Sequence, residues 1–177
     1  MHILPTFLIS LLLILIAGLT LAGDLLATFE SLTQSAISVR SRSEQRANTK
    51  IAGPLGLSVS ATSTFQITLK NEGSVALGQF ADWDVIMEVQ KAPGLGIAYL
   101  TYTEDASPGA NQWTVEKIYL NAASSTSEIV GPGVLDPDEE MVILANPSPS
   151  ITANTYDRAT FVTPNGIATK VVFEVLP

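Results

Sequence analysis

The sequence predicts an α+β chain: a long N-terminal α-helix followed by an antiparallel immunoglobulin-like β-sandwich. Three observations predict it. Ile3 to Ala22 contains no charged residue. Asp24 to Lys50 contains no Gly or Pro to stop a helix. Beyond about Gly53, apolar residues alternate with small or polar ones in short runs separated by turn residues. The expected division is 1–53 for the helix and 54–177 for the sandwich.

The apolar run comes first. At ~1.5 Å per residue it is long enough to cross the ~30 Å hydrocarbon core of a bilayer. Pro5 lies in the first turn, where a missing N–H costs little. A cleaved signal peptide needs a basic start, and Met1–His2 supplies none. A plain membrane anchor is a second reading. The basic residues Arg40, Arg42, Arg46 and Lys50 follow the run at a distance, and nothing basic precedes it. That charge pattern would place the sandwich on the cytoplasmic side.

The third reading is a helix that crosses the membrane only before it packs against copies of itself. It requires the helix to continue past the apolar run. Ala22, Leu25, Phe29, Leu32, Ala36 and Val39 are spaced 3, 4, 3, 4, 3, the spacing of a coiled-coil seam. A helix to about Ala52 would be ~70 Å long. A sandwich of this size cannot bury all of it, so the first half must bury in lipid or among other copies. Gly18 and Ala22 form a small-xxx-small pair that permits close helix approach. The expected self-assembly residues are Leu4, Leu8, Leu11, Leu12, Leu15, Gly18, Ala22, Leu25, Phe29, Leu32, Ala36 and Val39.

The strands follow. Leu55, Leu57, Val59 and Ala61 alternate, as do Phe65, Ile67 and Leu69 and then Val85, Met87 and Val89. Further strands are expected at Ile97–Thr103, Trp113–Leu120, Glu128–Val134, Met141–Ala145, Arg158–Thr163 and Ala168–Val175. Asn71-Glu72-Gly73-Ser74, Pro93-Gly94, Pro108-Gly109, Gly131-Pro132-Gly133, Pro147 and Pro164-Asn165-Gly166 supply turns between them. Eight or nine short strands in about 125 residues are the pattern of a sandwich.

Composition narrows the chemistry. The 177 residues carry a net charge of −8, and no basic patch offsets it, so nucleic acid is not an expected partner. There is no cysteine, and the single histidine is His2. The globular part therefore has no residue on which to build a Cys nucleophile, a Ser/His/Asp triad or a His-based zinc site. The expectation is a protein that is not an enzyme and uses no cofactor.

Several segments resemble the archaellins, the archaeal flagellins within the wider type IV pilin-like class. Phe65-Gln66-Ile67-Thr68-Leu69-Lys70-Asn71-Glu72-Gly73 is similar to the family's strand and Asn-x-Gly turn. Val134-Leu135-Asp136-Pro137-Asp138-Glu139-Glu140 resembles its approach to a late strand, and Thr163-Pro164-Asn165-Gly166 through Val175-Leu176-Pro177 its closing hairpin. The resemblance implies a subunit of an extracellular surface filament for motility, polymerising with identical subunits through the N-terminal helix. It implies residence in the cytoplasmic membrane before assembly, a prepilin-type peptidase and an assembly platform. It also implies a basic leader removed ahead of Met1, which would account for the missing N-terminal charge. Bacterial type IV pilins usually carry a glutamate near the start of this helix; Pro5 and the absence of an acid here favour the archaellin side. A membrane-anchored accessory or stator subunit of the same machinery, and an adhesive pilus subunit, share the plan.

Three polar groups have competing readings. Asp136, Asp138, Glu139 and Glu140 are either a solvated turn or a cation site, but lack the ligand spacing of a calcium loop. Trp83, between Asp82 and Asp84, is either a core residue or a sugar-stacking surface. Arg40, Arg42, Arg46 and Lys50 either pair with a neighbouring subunit or form a solvated helix end.

Overall fold

A computed structural model describes residues 3–59, 64–91, 94–128, 131–152 and 155–175. Two compact units divide the chain, Met1–Glu44 and Gln45–Pro177. The first is almost all of one α-helix, α1, which spans Ile3–Asn48 without interruption. The absence of breakers after Asp24 carries the helix well past its apolar run. Several of its hydroxyls bond within the helix. Thr20 donates to the Ala17 carbonyl at 2.9 Å, Thr28 to Asp24 at 2.8 Å and Thr33 to Phe29 at 2.8 Å. A helix whose polar side chains are satisfied internally can enter an apolar environment without stranding them.

The helix stops at Asn48, short of the expected Gly53, and the reason lies in the second unit. Ser74 donates its backbone N–H to the Asn48 carbonyl at 2.9 Å, and Glu72 donates to the Lys50 carbonyl at 2.8 Å. The turn after the second strand thus takes up the carbonyls at the helix end. Thr49 also donates its hydroxyl to the Gln45 carbonyl at 2.8 Å, which satisfies one group of the last turn. The first strand then begins at Ile51, so the expected boundary after residue 53 falls inside it.

Among the described residues the second unit has nine strands: β1 Ile51–Val59, β2 Phe65–Asn71, β3 Asp84–Lys91, β4 Gly94–Tyr102, β5 Gln112–Asn121, β6 Thr126–Ser127, β7 Glu140–Asn146, β8 Thr155–Val162 and β9 Ala168–Val175. Their order is β1-β2-β7-β5-β4-β3-β8-β9, with β6 paired to β5. This is an immunoglobulin-like arrangement: β1-β2-β7-β5 face β9-β8-β3-β4, and the chain crosses from one sheet to the other between β2 and β3, between β4 and β5 and between β7 and β8. All pairs are antiparallel except one. The end of β4 runs parallel to the start of β5, with Thr101 beside Gln112 and Tyr102 beside Trp113. At the opposite corner, Thr169 of β9 donates its hydroxyl to the Ile51 carbonyl of β1 at 3.0 Å.

One expected strand, Glu128–Val134, is absent among the described residues. Glu128 and residues 131–134 form a loop, and the short β6 precedes it. Gly131 and Gly133 both adopt positive φ, 67° and 85°, which a strand cannot contain. Val130, Ala61 and Pro93 lie outside the described residues.

The core follows from alternation. In β2 every second residue is buried, and Phe65, Ile67 and Leu69 have no exposed surface. Phe65 stacks on Phe173 of the facing sheet with centroids 5.7 Å apart. At the other end Trp113 packs edge-on to Tyr102 at 5.1 Å and against Trp83 at 6.5 Å. Asn71, fully buried, fixes the turn at the end of β2. Its amide donates to the carbonyls of Val75 and Leu135, both at 2.9 Å, and its Oδ1 accepts the Gly73 N–H at 3.0 Å. Three satisfied bonds explain a polar side chain in this place, and Asn71→Ala is expected to cost about 2–3 kcal/mol by stranding those groups. Denaturant unfolding followed by tryptophan fluorescence measures it.

Candidate assembly helix and its surroundings

The expected assembly residues occupy one helix, where a period of 3.6 places them on a single drifting stripe. Leu8, Leu11, Leu12, Leu15, Leu25, Phe29, Leu32 and Val39 are all between 47% and 67% exposed. Ala22 and Ala36 are also exposed. A Cβ at Gly18 would meet nothing, so this position leaves open space on the helix. Leu4 is helical, and its side chain lies outside the described ones.

The stripe is only part of the apolar surface. Phe7, Ile9, Leu13, Ile14, Ile16, Leu19 and Leu21 are exposed as well, so the first half of α1 is apolar on every side. Such a helix is built to be surrounded. By length and composition it is also apolar enough to cross a membrane. Past Ala22 the character changes, since Asp24 and Ser31 lie on the side away from the Leu25–Phe29–Leu32 stripe. The second half is therefore one-sided, as a helix in a bundle is.

The basic group is mostly engaged within the chain. Arg40 pairs with Glu44 one turn on at 2.8 Å, and Lys50 pairs with Glu72 at 2.7 Å. Arg46 donates through Nε to the Asn165 carbonyl at 2.6 Å. Lys50 holds the Glu72 carboxyl below its usual range, chiefly through that hydrogen bond. Of the four, Arg42 has neither an ion pair nor a side-chain hydrogen bond among the described residues, and the Arg40 and Lys50 side chains stay 82% and 70% exposed in their pairs, so both readings of the basic group stand.

The acidic turn serves the fold. Glu139 is 3% exposed and accepts the Asp136 N–H through Oε2 at 2.9 Å. Glu140 accepts the Ala122 N–H at 2.7 Å, and Asp138 lies 3.7 Å from Lys70 Nζ. These carboxylates cap loops and do not converge on a shared point; among the described residues no three acidic, His or Cys side chains gather as a metal site. Burial raises the Glu128 carboxyl above its usual range, and the neighbouring Glu139 adds to this. Trp83 is 3% exposed, sits edge-on to Phe80 at 5.5 Å and donates Nε1–H to the Gly78 carbonyl at 3.1 Å. It is a core residue.

One titrating group in the sandwich has a stability consequence. Asp157 is fully buried; its Oδ1 accepts the Gln90 N–H at 2.8 Å, and its Oδ2 has no partner among the described residues. Burial raises its pKa, and the Gln90 bond offsets this in part. A raised carboxyl contributes stability below its unfolded pKa and loses it as pH rises through the folded one. Asp157→Asn is therefore expected to raise the Tm at pH 7 by about 2–4 °C and to leave it unchanged near pH 3. Thermal melts at the two pH values check this.

Reading the sequence missed an apolar row on the outer face of β4, formed by Leu95, Ile97 and Tyr99. The only trace was the uncharged stretch from Ala92 to Thr103, and alternation alone does not say which face of a strand is inside.

No family model matches the chain, and no curated protein does. Solved structures do match. A structure of the archaeal flagellum of Methanospirillum hungatei strain JF1 superposes with a TM-score of 0.60 at 15% identity, over 98% of this chain and 93% of that one. The archaellum periplasmic stator protein FlaG from Sulfolobus acidocaldarius superposes with a TM-score of 0.50 at 19% identity, over 71% of this chain and 99% of that one. The first of these likenesses spans both the helix and the sandwich of this chain, so the resemblance noted from sequence segments is borne out in the fold.

Proposed function

We propose that this chain is the structural subunit of an extracellular archaellum-like filament, held together by α1 and not engaged in catalysis. The observation that carries this reading is the helix. It is 46 residues long, apolar on all sides over its first half and one-sided over its second. Lipid alone would account for the first half; only a helical partner accounts for the stripe beyond Ala22. The likeness to the archaeal flagellum structure supports the reading because its coverage includes the helix. Before assembly the same helix would reside in the cytoplasmic membrane, and export would involve a prepilin-type peptidase and an assembly platform. The sandwich would face outward, and its acidic charge would keep filaments dispersed.

A stator-like, membrane-anchored accessory subunit is the second reading, favoured by the likeness of the fold to FlaG. The two part on location. A filament subunit dominates material sheared from cells and appears there as filaments by electron microscopy. An accessory subunit stays with the membrane fraction, and that result would replace the first reading with the second.

A further inference from the structure

Asn165-Gly166 is the only Asn-Gly pair in the sequence, and it lies in the turn between β8 and β9. We propose that this pair is a self-deamidating modification site which the end of α1 holds closed, so that release of the helix end is recorded by irreversible loss of the Asn165 amide. The chemistry needs only water and hydroxide. The Gly166 nitrogen gives its proton to hydroxide and bonds to the Asn165 Cγ. The Cγ–Nδ2 bond breaks, and the nitrogen takes a proton from water and leaves as ammonia. Water then opens the five-membered imide on one side or the other, which leaves aspartate or isoaspartate at position 165. Glycine favours the attack, since it has no side chain to crowd the nitrogen and its backbone turns freely.

The folded turn keeps the reacting atoms apart. Gly166 donates its N–H to the Thr163 carbonyl at 2.8 Å, which closes a four-residue turn around Pro164 and Asn165. Asn165 keeps a negative φ, so the turn is of type I, with an Asn165 ψ of about 0°. Ring closure requires the Gly166 nitrogen to eclipse Cβ about the Cα–C bond, a rotation of ~120° from that ψ. Two torsions must therefore turn, and both are held. Rotation about ψ swings the Asn165 carbonyl together with the Gly166 N–H. Arg46 Nε donates to that carbonyl at 2.6 Å, and the Thr163 carbonyl holds that N–H. The guanidinium also lies against Gly166, where a Cβ would stand 2.7 Å from Nη2. Rotation about χ1 swings the side-chain amide. Its Nδ2 donates to the Thr49 hydroxyl at 2.6 Å, and its Oδ1 accepts the Thr163 hydroxyl. Arg46 lies in the last turn of α1 and Thr49 directly follows it. The helix end thus holds one group on each torsion.

The modification reinforces itself. A carboxylate at position 165 has no N–H to donate to Thr49. An isoaspartate adds a methylene to the main chain, which takes the Gly166 N–H out of register with Thr163. A turn that has reacted cannot resume its hold on the helix end. This holds whether α1 builds a filament or stays in a membrane.

Peptide mass spectrometry of the full chain, kept in detergent at mildly alkaline pH, measures the conversion. Asn165 should deamidate at least about tenfold more slowly in the native chain than in the same chain in concentrated urea. Arg46→Ala and Thr49→Val should each speed the native reaction at least about fivefold. Arg42→Ala removes the same charge one turn earlier without touching the turn. Val89→Ala empties core volume at the end of β3 away from Asp84, which pairs beside the turn. Both should stay within about twofold of the native rate. Conversion as fast in the native chain as in urea would overturn the proposal. Acceleration by Val89→Ala equal to that by Arg46→Ala would overturn it too, since the rate would then follow global unfolding. Native rates in both Arg46→Ala and Thr49→Val would show that the turn stays closed without the helix end, and would remove the helix end from the proposal.

Discussion

Leu25→Asp and Phe29→Asp are expected to abolish filaments while leaving the sandwich folded. Both positions lie beyond the charge-free run Ile3–Ala22, so neither substitution puts a charge into the stretch that would enter a membrane. Both side chains are exposed in the single chain, at 58% and 66%, so no intramolecular contact is lost that could unfold it. In a filament core, each would trade about 1.5–3 kcal/mol of apolar burial for a carboxylate without a partner, at a further cost of several kcal/mol. The penalty recurs in every subunit, and polymerisation has no route around it. Ser31→Asp supplies the control, because Ser31 shares the helix but lies away from the stripe; filaments should persist. The readouts are electron microscopy of sheared material and the fluorescence of Trp83 and Trp113, which reports the sandwich core. Intact filaments from either stripe variant would remove the core-helix reading. Loss of filaments in Ser31→Asp as well would show that α1 is packed on all sides along its whole length.

The helix and most strands were legible in the sequence because their signals are local. A stretch without Gly or Pro propagates a helix, and alternation at Phe65, Ile67 and Leu69 sets one buried face. What was not legible depended on partners far along the chain. Gly53-Pro54 looked like the helix stop, yet the stop is set by N–H groups at Glu72 and Ser74. Glu128–Val134 looked like a strand by composition, but two glycines at positive φ take the backbone out of that region. The basic residues from Arg40 to Lys50 looked available to a neighbour; Glu72 and the Asn165 carbonyl, distant in sequence, claim two of them. The stripe from Ala22 to Val39 was legible as spacing. Its use in assembly belongs to contacts between copies, which no single chain contains.

The helix-to-strand junction makes the second large effect calculable from geometry. Gly73 lies against the backbone where α1 becomes β1. A Cβ there would stand 2.4 Å from the Asn48 carbonyl oxygen, 2.7 Å from the Lys50 nitrogen and 3.1 Å from the Thr49 Cα. All three are main-chain atoms, so no rotamer change relieves the clash. The turn must move away, and the Ser74–Asn48 and Glu72–Lys50 hydrogen bonds move with it. Asn71, whose Oδ1 accepts the Gly73 N–H, is disturbed too. Gly73→Ala is therefore expected to destabilise the sandwich by roughly 2–3 kcal/mol, or about 5–10 °C in Tm. Gly78 is the comparison, since its Cβ would meet only a Val134 methyl at 3.8 Å, an ordinary contact. Gly78→Ala should melt within about 2 °C of the native chain. Because the lost bonds hold the carbonyls at the helix end, Gly73→Ala should also speed hydrogen exchange at the Glu72 and Ser74 amides more than elsewhere in the sandwich. Equal melting of the two alanine variants would mean that the junction yields without strain, and that the helix end is fixed by Thr49 and Arg46 alone.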